Sequence, residues 1–466
     1  MKSKVKLPVV LLLILGLSCL VAAHEHEDEI SEENLNKPID TILYLHIGLQ
    51  SLLWGIIFPA GMVLGIIRSR WHVPVQSVAL LLTAAGYVLG HKHGGRRFPE
   101  SLHGTAANIL MLPLLAQAVL GIYLKLHINE KSIRPWAVVL HGIIGKIYPI
   151  IGWCQMLFGA IILGGYCNGG ALGQCLAHYI MGSAFIAYGI ILAILLLVGQ
   201  HWLRRRGRSP EWWDSWVIFL WGIVNTFTEH HGGKWSHKDL QHTSLGILWW
   251  AGGALGIVLS RKKTRNVVPA MIIIITGWAM SSHAQAFVYS EKIHSLFGYT
   301  LMAAGVARLV EICFVAPGNS SENGEDSQIS IGPFQHLPPF LLIAAGLLFM
   351  SATDEELHYV ADSGLDHVTY VLIMFSLAFI IYALTNVLLG WYSSAPSKLK
   401  TDLELPGDEG SKYYHRVPDT ASLFSGYTAG PRMLHDEEVY ELAGPDNNND
   451  EDPFDDDHHL QRQGRA

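Results

Sequence analysis

The chain has 466 residues, half of them hydrophobic and only 15% charged, with a net charge of -7 at neutral pH. Its mean hydropathy is +0.29. Such a length in a soluble protein implies several domains, but recurring apolar runs long enough to cross a bilayer make this an all-α polytopic membrane protein. The excess negative charge lies mainly in the C-terminal tail, which argues against nucleic acid as a partner.

Lys2, Lys4 and Lys6 precede an apolar stretch from Leu7 to Leu20, then Val21-Ala22-Ala23 and the polar HEHEDE. This pattern is that of a cleaved signal peptide over residues 1–23. It predicts a lumenal or extracellular segment at 24–40 and a multi-pass protein of the secretory pathway, in the endoplasmic reticulum, vacuole or plasma membrane.

Eleven apolar runs follow, at 41–67, 73–90, 102–124, 136–164, 176–202, 213–228, 241–259, 267–283, 293–315, 333–350 and 367–391. Each is read as a transmembrane helix. With a lumenal start, the first four cytosolic loops carry thirteen Lys and Arg, against seven in the lumenal segments before the last two helices. That bias agrees with the positive-inside rule. The sequon Asn319-Ser320-Ser321 then lies in the cytosol and stays unmodified. Residues 393–466 are acidic and poor in apolar side chains, and are expected to form a disordered cytosolic tail. The helices divide into halves at 41–203 and 204–392. Cys167 and Cys175 flank the short loop NGGALGQ, where a lumenal location permits a disulfide.

Histidines mark the first half. His46, His72, His103 and His141 each stand near the start of one of the first four helices. Because successive helices alternate in direction, His46 and His103 share the lumenal depth, and His72 and His141 share the cytosolic one. The two layers are expected roughly 20 Å apart. Imidazoles are costly inside hydrocarbon and normally have a task there. Two facing imidazoles at one depth in a helical bundle suit bis-histidine binding of haem b, and Gly104, Ala107, Gly142 and Gly145 would let a porphyrin approach the backbone. The bland reading is four interfacial histidines, each satisfied by a loop carbonyl.

His46 followed by Trp54-Gly55, Pro59 and Gly61 resembles the first haem helix of cytochrome b-561 and ferric-reductase-like membrane domains. His72-Val73-Pro74-Val75-Gln76 is similar to their His-x-x-apolar-Gln helix, and His103 and His141 fall at the positions of the third and fourth ligands. The resemblance covers residues 40–165 and implies a four-helix di-haem bundle. Pro74 departs from the pattern and leaves His72 at the helix margin. The whole chain also resembles the fungal Ytp-type membrane proteins, which join such a half to a second, characteristic one; this resemblance implies architecture more than chemistry.

In the second half, His242 and His294 begin helices that both start on the lumenal side, and each is followed by Gly four residues on. A third haem between them is one reading. Glu229, His230 and His283 crowd the same face, and with His242 and His294 would alternatively form a zinc or copper site. A hydrogen-bonded lumenal cap is the plain alternative. The expectation is therefore a transmembrane oxidoreductase with two b-type haems. Arg68, Arg70 and Arg134 would attract an anionic donor such as ascorbate, with ferric or cupric ion as acceptor. A metal-binding or metal-transporting membrane protein, or a non-catalytic membrane organiser, is the alternative.

Overall fold

The computed structural model describes residues 37–167, 172–228, 230, 234–261, 264–282, 287–315 and 331–395. The expected signal peptide, most of the acidic tail, the Asn319 sequon, Glu229 and His283 lie outside them. The regular structure among the described residues is helical, without strands. The helices are α1 (Thr41–Ile66), α2 (His72–Lys92), α3 (Leu102–Leu126), α4 (Arg134–Gly164), α5 (Leu172–Leu197), α6 (Gln200–Arg206), α7 (Pro210–Thr228), α8 (His237–Leu259), α9 (Val268–Ser281), α10 (Val288–Phe314), α11 (Leu337–Met350), α12 (Asp354–Asp362) and α13 (His367–Ser393). A 3-10 turn, Pro333–His336, leads into α11.

Nine of these helices are long and apolar enough to cross a membrane: α1 to α5, α8, α10, α11 with its leading turn, and α13. Each of the eleven apolar runs contains a helix among the described residues, but α9 is shorter, at 14 residues. The nine do not include α7, which carries buried Glu211, Asp214 and Asn225. Large apolar side chains point outward, such as Leu112 at 70% exposure. That is the surface lipid requires, because every backbone polar group must be satisfied within the helix while side chains face hydrocarbon.

Helix starts are fixed by side chains that accept from the first free N–H groups. Asp40 accepts from the Leu43 N–H at 2.9 Å and from the Gly94 N–H at 2.7 Å, tying the start of α1 to the turn after α2. Those two hydrogen bonds hold its carboxyl below the usual range. Ser101 caps α3, Ser236 and Asp239 form a capping box on α8, and Asp366 caps α13.

Two aspects of packing position the site. In the first half, Leu53, Trp54, Phe58, Ala79, Leu114 and Tyr148 form a core midway along α1 to α4. Beyond α4, Gly182 and Gly346 let α5 and α11 touch backbone to backbone, since a Cβ on Gly182 would meet the Gly346 carbonyl at 2.7 Å. Close approach through small residues is how membrane helices gain dispersion energy without a hydrophobic drive between them. α4 meets α5 where Trp153 Nε1 donates to Ser183 Oγ at 3.0 Å.

Cys167 and Cys175 are joined as a disulfide. The Cys167 N–H donates to Glu355 at 2.6 Å, and Gln174 donates to Asp354 at 3.0 Å. The short acidic helix α12 is thereby fastened to Cys167 and to the start of α5. Its Glu356, which accepts from Tyr370 at 3.2 Å, has its carboxyl pushed up to about 7 by burial.

Candidate functional site: two layers of paired histidines

α1 and α2 run antiparallel and each reaches into the other. The His46 Nδ1–H donates to the Gly86 carbonyl at 2.7 Å, and the His72 Nδ1–H donates to the Gly61 carbonyl at 2.8 Å. One turn further in, Gln50 donates to the Thr83 carbonyl at 3.1 Å and Gln76 to that of Phe58 at 3.3 Å. The rings lie directly on glycine. A Cβ on Gly90 would sit 2.7 Å from His46, and one on Gly65 2.8 Å from His72.

α3 and α4 repeat the device. The His103 Nδ1–H donates to the Gln155 carbonyl at 3.1 Å, while the Gln155 side chain donates to the His103 carbonyl at 2.9 Å. Gln117 donates to the His141 carbonyl at 3.0 Å. Gly159 and Gly121 face the His103 and His141 rings, at 3.1 and 3.6 Å from an ideal Cβ. His141 Nδ1 is buried without a hydrogen-bond partner.

The two helix pairs then bring their histidines face to face. His46 and His103 have ring centroids 6.2 Å apart and planes at 89°; His72 and His141 are also 6.2 Å apart, at 87°. The layers are separated by fourteen residues of α2, from His72 to Gly86, or about 21 Å of helix. Trp54, Phe58 and Tyr148 fill the interval, with the Trp54 ring 4.7 Å from Phe58 and 5.7 Å from Tyr148. Although α2 begins at His72 itself, this marginal residue faces its partner as closely as His46 does.

A recurring motif underlies this geometry. α1 and α2 each read His-x-x-x-Gln followed later by Gly-x-x-x-Gly, whereas α3 and α4 each read His followed later by Gln-x-x-x-Gly. From histidine to the first paired glycine is fourteen residues in α2 and fifteen in α1. The extra residue is absorbed by one π turn at Leu53–Ile57, a feature that commonly marks a functional position. The signal was present in the spacing of glutamine and glycine, but the one-residue mismatch conceals it.

The other expected residues are distributed differently. His294, expected opposite His242, has its Nε2 3.4 Å from the Nε2 of His178. His178 lies within two turns of the start of α5, so the same alternation of helix direction places it at that depth. The ring of His178 stacks on Phe349 at 4.6 Å and 14°, which leaves no slot for a porphyrin. His230 stacks on Trp235 at 4.0 Å, with its Nδ1 3.5 Å from Asp239. The His242 carbonyl accepts from Asn225 at 2.8 Å. No group of three His, Cys, Asp or Glu among the described residues is arranged around a common metal position.

A second polar cluster closes the opposite end of the second half. Glu211, fully buried, accepts from Arg265 and Arg308 at 2.9 Å each, and Arg308 also donates to Glu311 at 2.6 Å. Asp214 lies 3.9 Å from Arg308. Buried charges are tolerated when paired and hydrogen-bonded in this way. The cluster borders a cavity of about 190 Å³ lined by Leu192, Gln200, Pro338 and Pro339.

Comparison with known proteins places this architecture. Residues 151–393 match the family described as protein YTP1-like, C-terminal, and residues 26–127 match a domain of unknown function, DUF2427. Protein YTP1 of Saccharomyces cerevisiae is 44% identical over 247 residues, covering 52% of each chain. An uncharacterized membrane protein of Schizosaccharomyces pombe, C3B8.06, is 24% identical over 458 residues, covering 70% of this chain and 88% of its own. Another of S. cerevisiae, YCR061W, is 28% identical over 278 residues, covering 47% of this chain and 42% of its own. The match to the first of these spans about half that relative's length. No solved structure matches. The chain belongs to the YTP1-like family of multispanning membrane proteins.

Proposed function

We propose that α1 to α4 bind two b-type haems, one between His46 and His103 and one between His72 and His141, and carry electrons across the membrane. The spacing of the facing imidazoles carries the proposal. Two metal–imidazole bonds of about 2.0 Å and two half-rings of about 1.1 Å sum to ~6.2 Å between ring centroids, and both pairs stand at 6.2 Å. Three of the four rings donate Nδ1–H to a carbonyl, which fixes the tautomer and leaves Nε2 as the ligating nitrogen. The fourth, His141, has a buried Nδ1, and its backbone carbonyl accepts from the Gln117 amide. Bound haem supplies a one-electron redox centre at each layer.

The protein's own part is orientation and insulation. Gly90 and Gly65 set the depth and rotation of His46 and His72. Trp54, Phe58 and Tyr148 exclude water from the interval between the layers and offer polarisable rings along it. Arg68, Arg70 and Arg134 crowd the His72 end, where they would raise the local concentration of an anionic reductant such as ascorbate. The opposite end would deliver electrons to a ferric or cupric acceptor. Redox titration of the purified protein, followed in the visible spectrum, should resolve two one-electron transitions. His72→Ala should remove one of them and leave the other within experimental error. A single transition, or loss of both on substitution of one histidine, would defeat the two-site proposal.

A further inference from the structure

α7, α10 and the segment before α9 bring three carboxylates together with two guanidinium groups. Arg265 and Arg308 both bond Glu211 through its Oε1, at 2.9 Å each, while Glu211 Oε2 is buried without a hydrogen-bond partner. Arg308 also pairs with Glu311 at 2.6 Å, but it stands 3.9 Å from Asp214, too far for a hydrogen bond. With all five groups ionised, the three carboxylates leave one negative charge in excess. Excess charge inside a membrane bundle is costly and points to a working site.

Asp214 is where that excess meets open space. It is buried, at 4% exposure, and lines a cavity of about 140 Å³ where α5 and α7 to α10 converge. It is the one charged residue among the described residues of that wall, and the Tyr188 phenol stands against it. Phe185, Trp221 and Trp249 supply aromatic surface. The other hydroxyl there, on Thr276, is already engaged: it accepts from Trp249 Nε1 at 2.8 Å and donates to the Ile272 carbonyl at 2.7 Å. Ala184 also lines the cavity, is exposed on the outer surface, and lies midway along α5. The opening is therefore at hydrocarbon depth.

We propose that this cavity binds a small lipophilic organic cation: an amine carrying one aromatic or branched apolar group, with its ammonium on Asp214. The ammonium supplies the missing positive charge and donates to carboxylate oxygens that Arg308 does not reach. Tryptophan and tyrosine faces attract a cation within about 6 Å of the ring centroid, so Tyr188, Trp221 and Trp249 suit both the charge and the apolar group beside it. A dry cavity of about 150 Å³ accommodates benzene, which sets the ligand at one ring and a short amine arm. A bare magnesium or calcium ion needs about six oxygen ligands, and this wall offers a single carboxylate. An anion meets the same excess negative charge and is repelled. The lipid-facing opening admits a ligand that partitions into the bilayer. The site lies outside α1 to α4 and does not depend on haem there.

The test measures saturable binding of three probes of one size and different charge to the full-length protein in detergent: benzylammonium, benzyl alcohol and benzoate. Benzylammonium should bind at one site per chain, at least about tenfold more tightly than benzyl alcohol, and benzoate should not bind. Asp214→Asn should weaken benzylammonium by at least about tenfold and so erase the preference for charge. Ala184→Phe fills the opening from an exposed position without touching the ionic cluster, and should abolish binding in a chain whose unfolding transition matches the wild type. It keeps the proposal testable if Asp214→Asn fails to fold. Absence of saturable benzylammonium binding to the wild type would overturn the proposal. So would equal binding of the alcohol, binding of benzoate, or unchanged benzylammonium affinity in either folded variant.

Discussion

Replacing Gly90 with alanine tests whether the α1–α2 contact fixes His46. The new Cβ would lie 2.7 Å from His46 Cε1 and 2.8 Å from Nδ1, whereas carbon contacts settle at about 3.5–4.0 Å. The ring must therefore retreat by about 1 Å. Its bond to the Gly86 carbonyl, 2.7 Å long, would stretch to about 3.7 Å, beyond the range of a hydrogen bond. Overpacking costs about 1–3 kcal/mol and the lost bond about 1 kcal/mol. Better helix propensity returns up to about 1 kcal/mol, so the net loss is about 1–3 kcal/mol. Gly48→Ala, on α1, is the control, because its Cβ would meet nothing within 4 Å. Denaturant unfolding in detergent measures the cost, and nitrogen-15 resonances of the His46 ring report the Nδ1 hydrogen bond. If Gly90→Ala behaves like Gly48→Ala in both assays, the ring is not seated on α2 and the geometry of the layer is wrong.

Other outcomes follow from particular contacts. Glu356, raised to about 7 from 4.5, binds more protons folded than unfolded between those values, so its contribution to stability falls as pH rises from 4.5 to 7 and is flat above. Glu356→Gln should remove that slope, worth up to about 3 kcal/mol, in melts taken across this range. Arg308→Leu leaves Glu211 and Glu311 short of a buried cation and should destabilise by about 3–5 kcal/mol, whereas Arg206→Leu should change unfolding by less than about 0.5 kcal/mol. Reducing Cys167–Cys175 opens a loop of separation 8 and should cost about 2–3 kcal/mol, read as earlier unfolding and faster proteolysis near α12.

Much of the first half was legible because hydrocarbon makes polar residues conspicuous. His46, His72, His103 and His141 stand out against apolar runs, and alternation of helix direction sorts them by depth without any structure. Which glutamines and glycines hold them was not legible. Gln50, Gln76, Gln117 and Gln155 act on backbone carbonyls of neighbouring helices, and the π turn in α1 shifts the register by one residue. The second half was read less well. His294 was assigned by helix direction to His242, yet helix packing through Gly182, Gly346, Gly277 and Gly298 turns it toward α5. Direction sets a residue's depth, while rotation about the helix axis is set by packing that spans distant parts of the chain. The Glu211–Arg265–Arg308 cluster likewise joins three separate segments, and in sequence each member looks like an ordinary loop or helix-end charge.

The haem content of the purified, full-length protein tests the central claim most directly. After expression with adequate haem, the account predicts a Soret band, two b-type haems per chain by pyridine haemochrome, and loss of a different spectral species in His103→Ala and His141→Ala. A well-folded protein with no Soret band would contradict it.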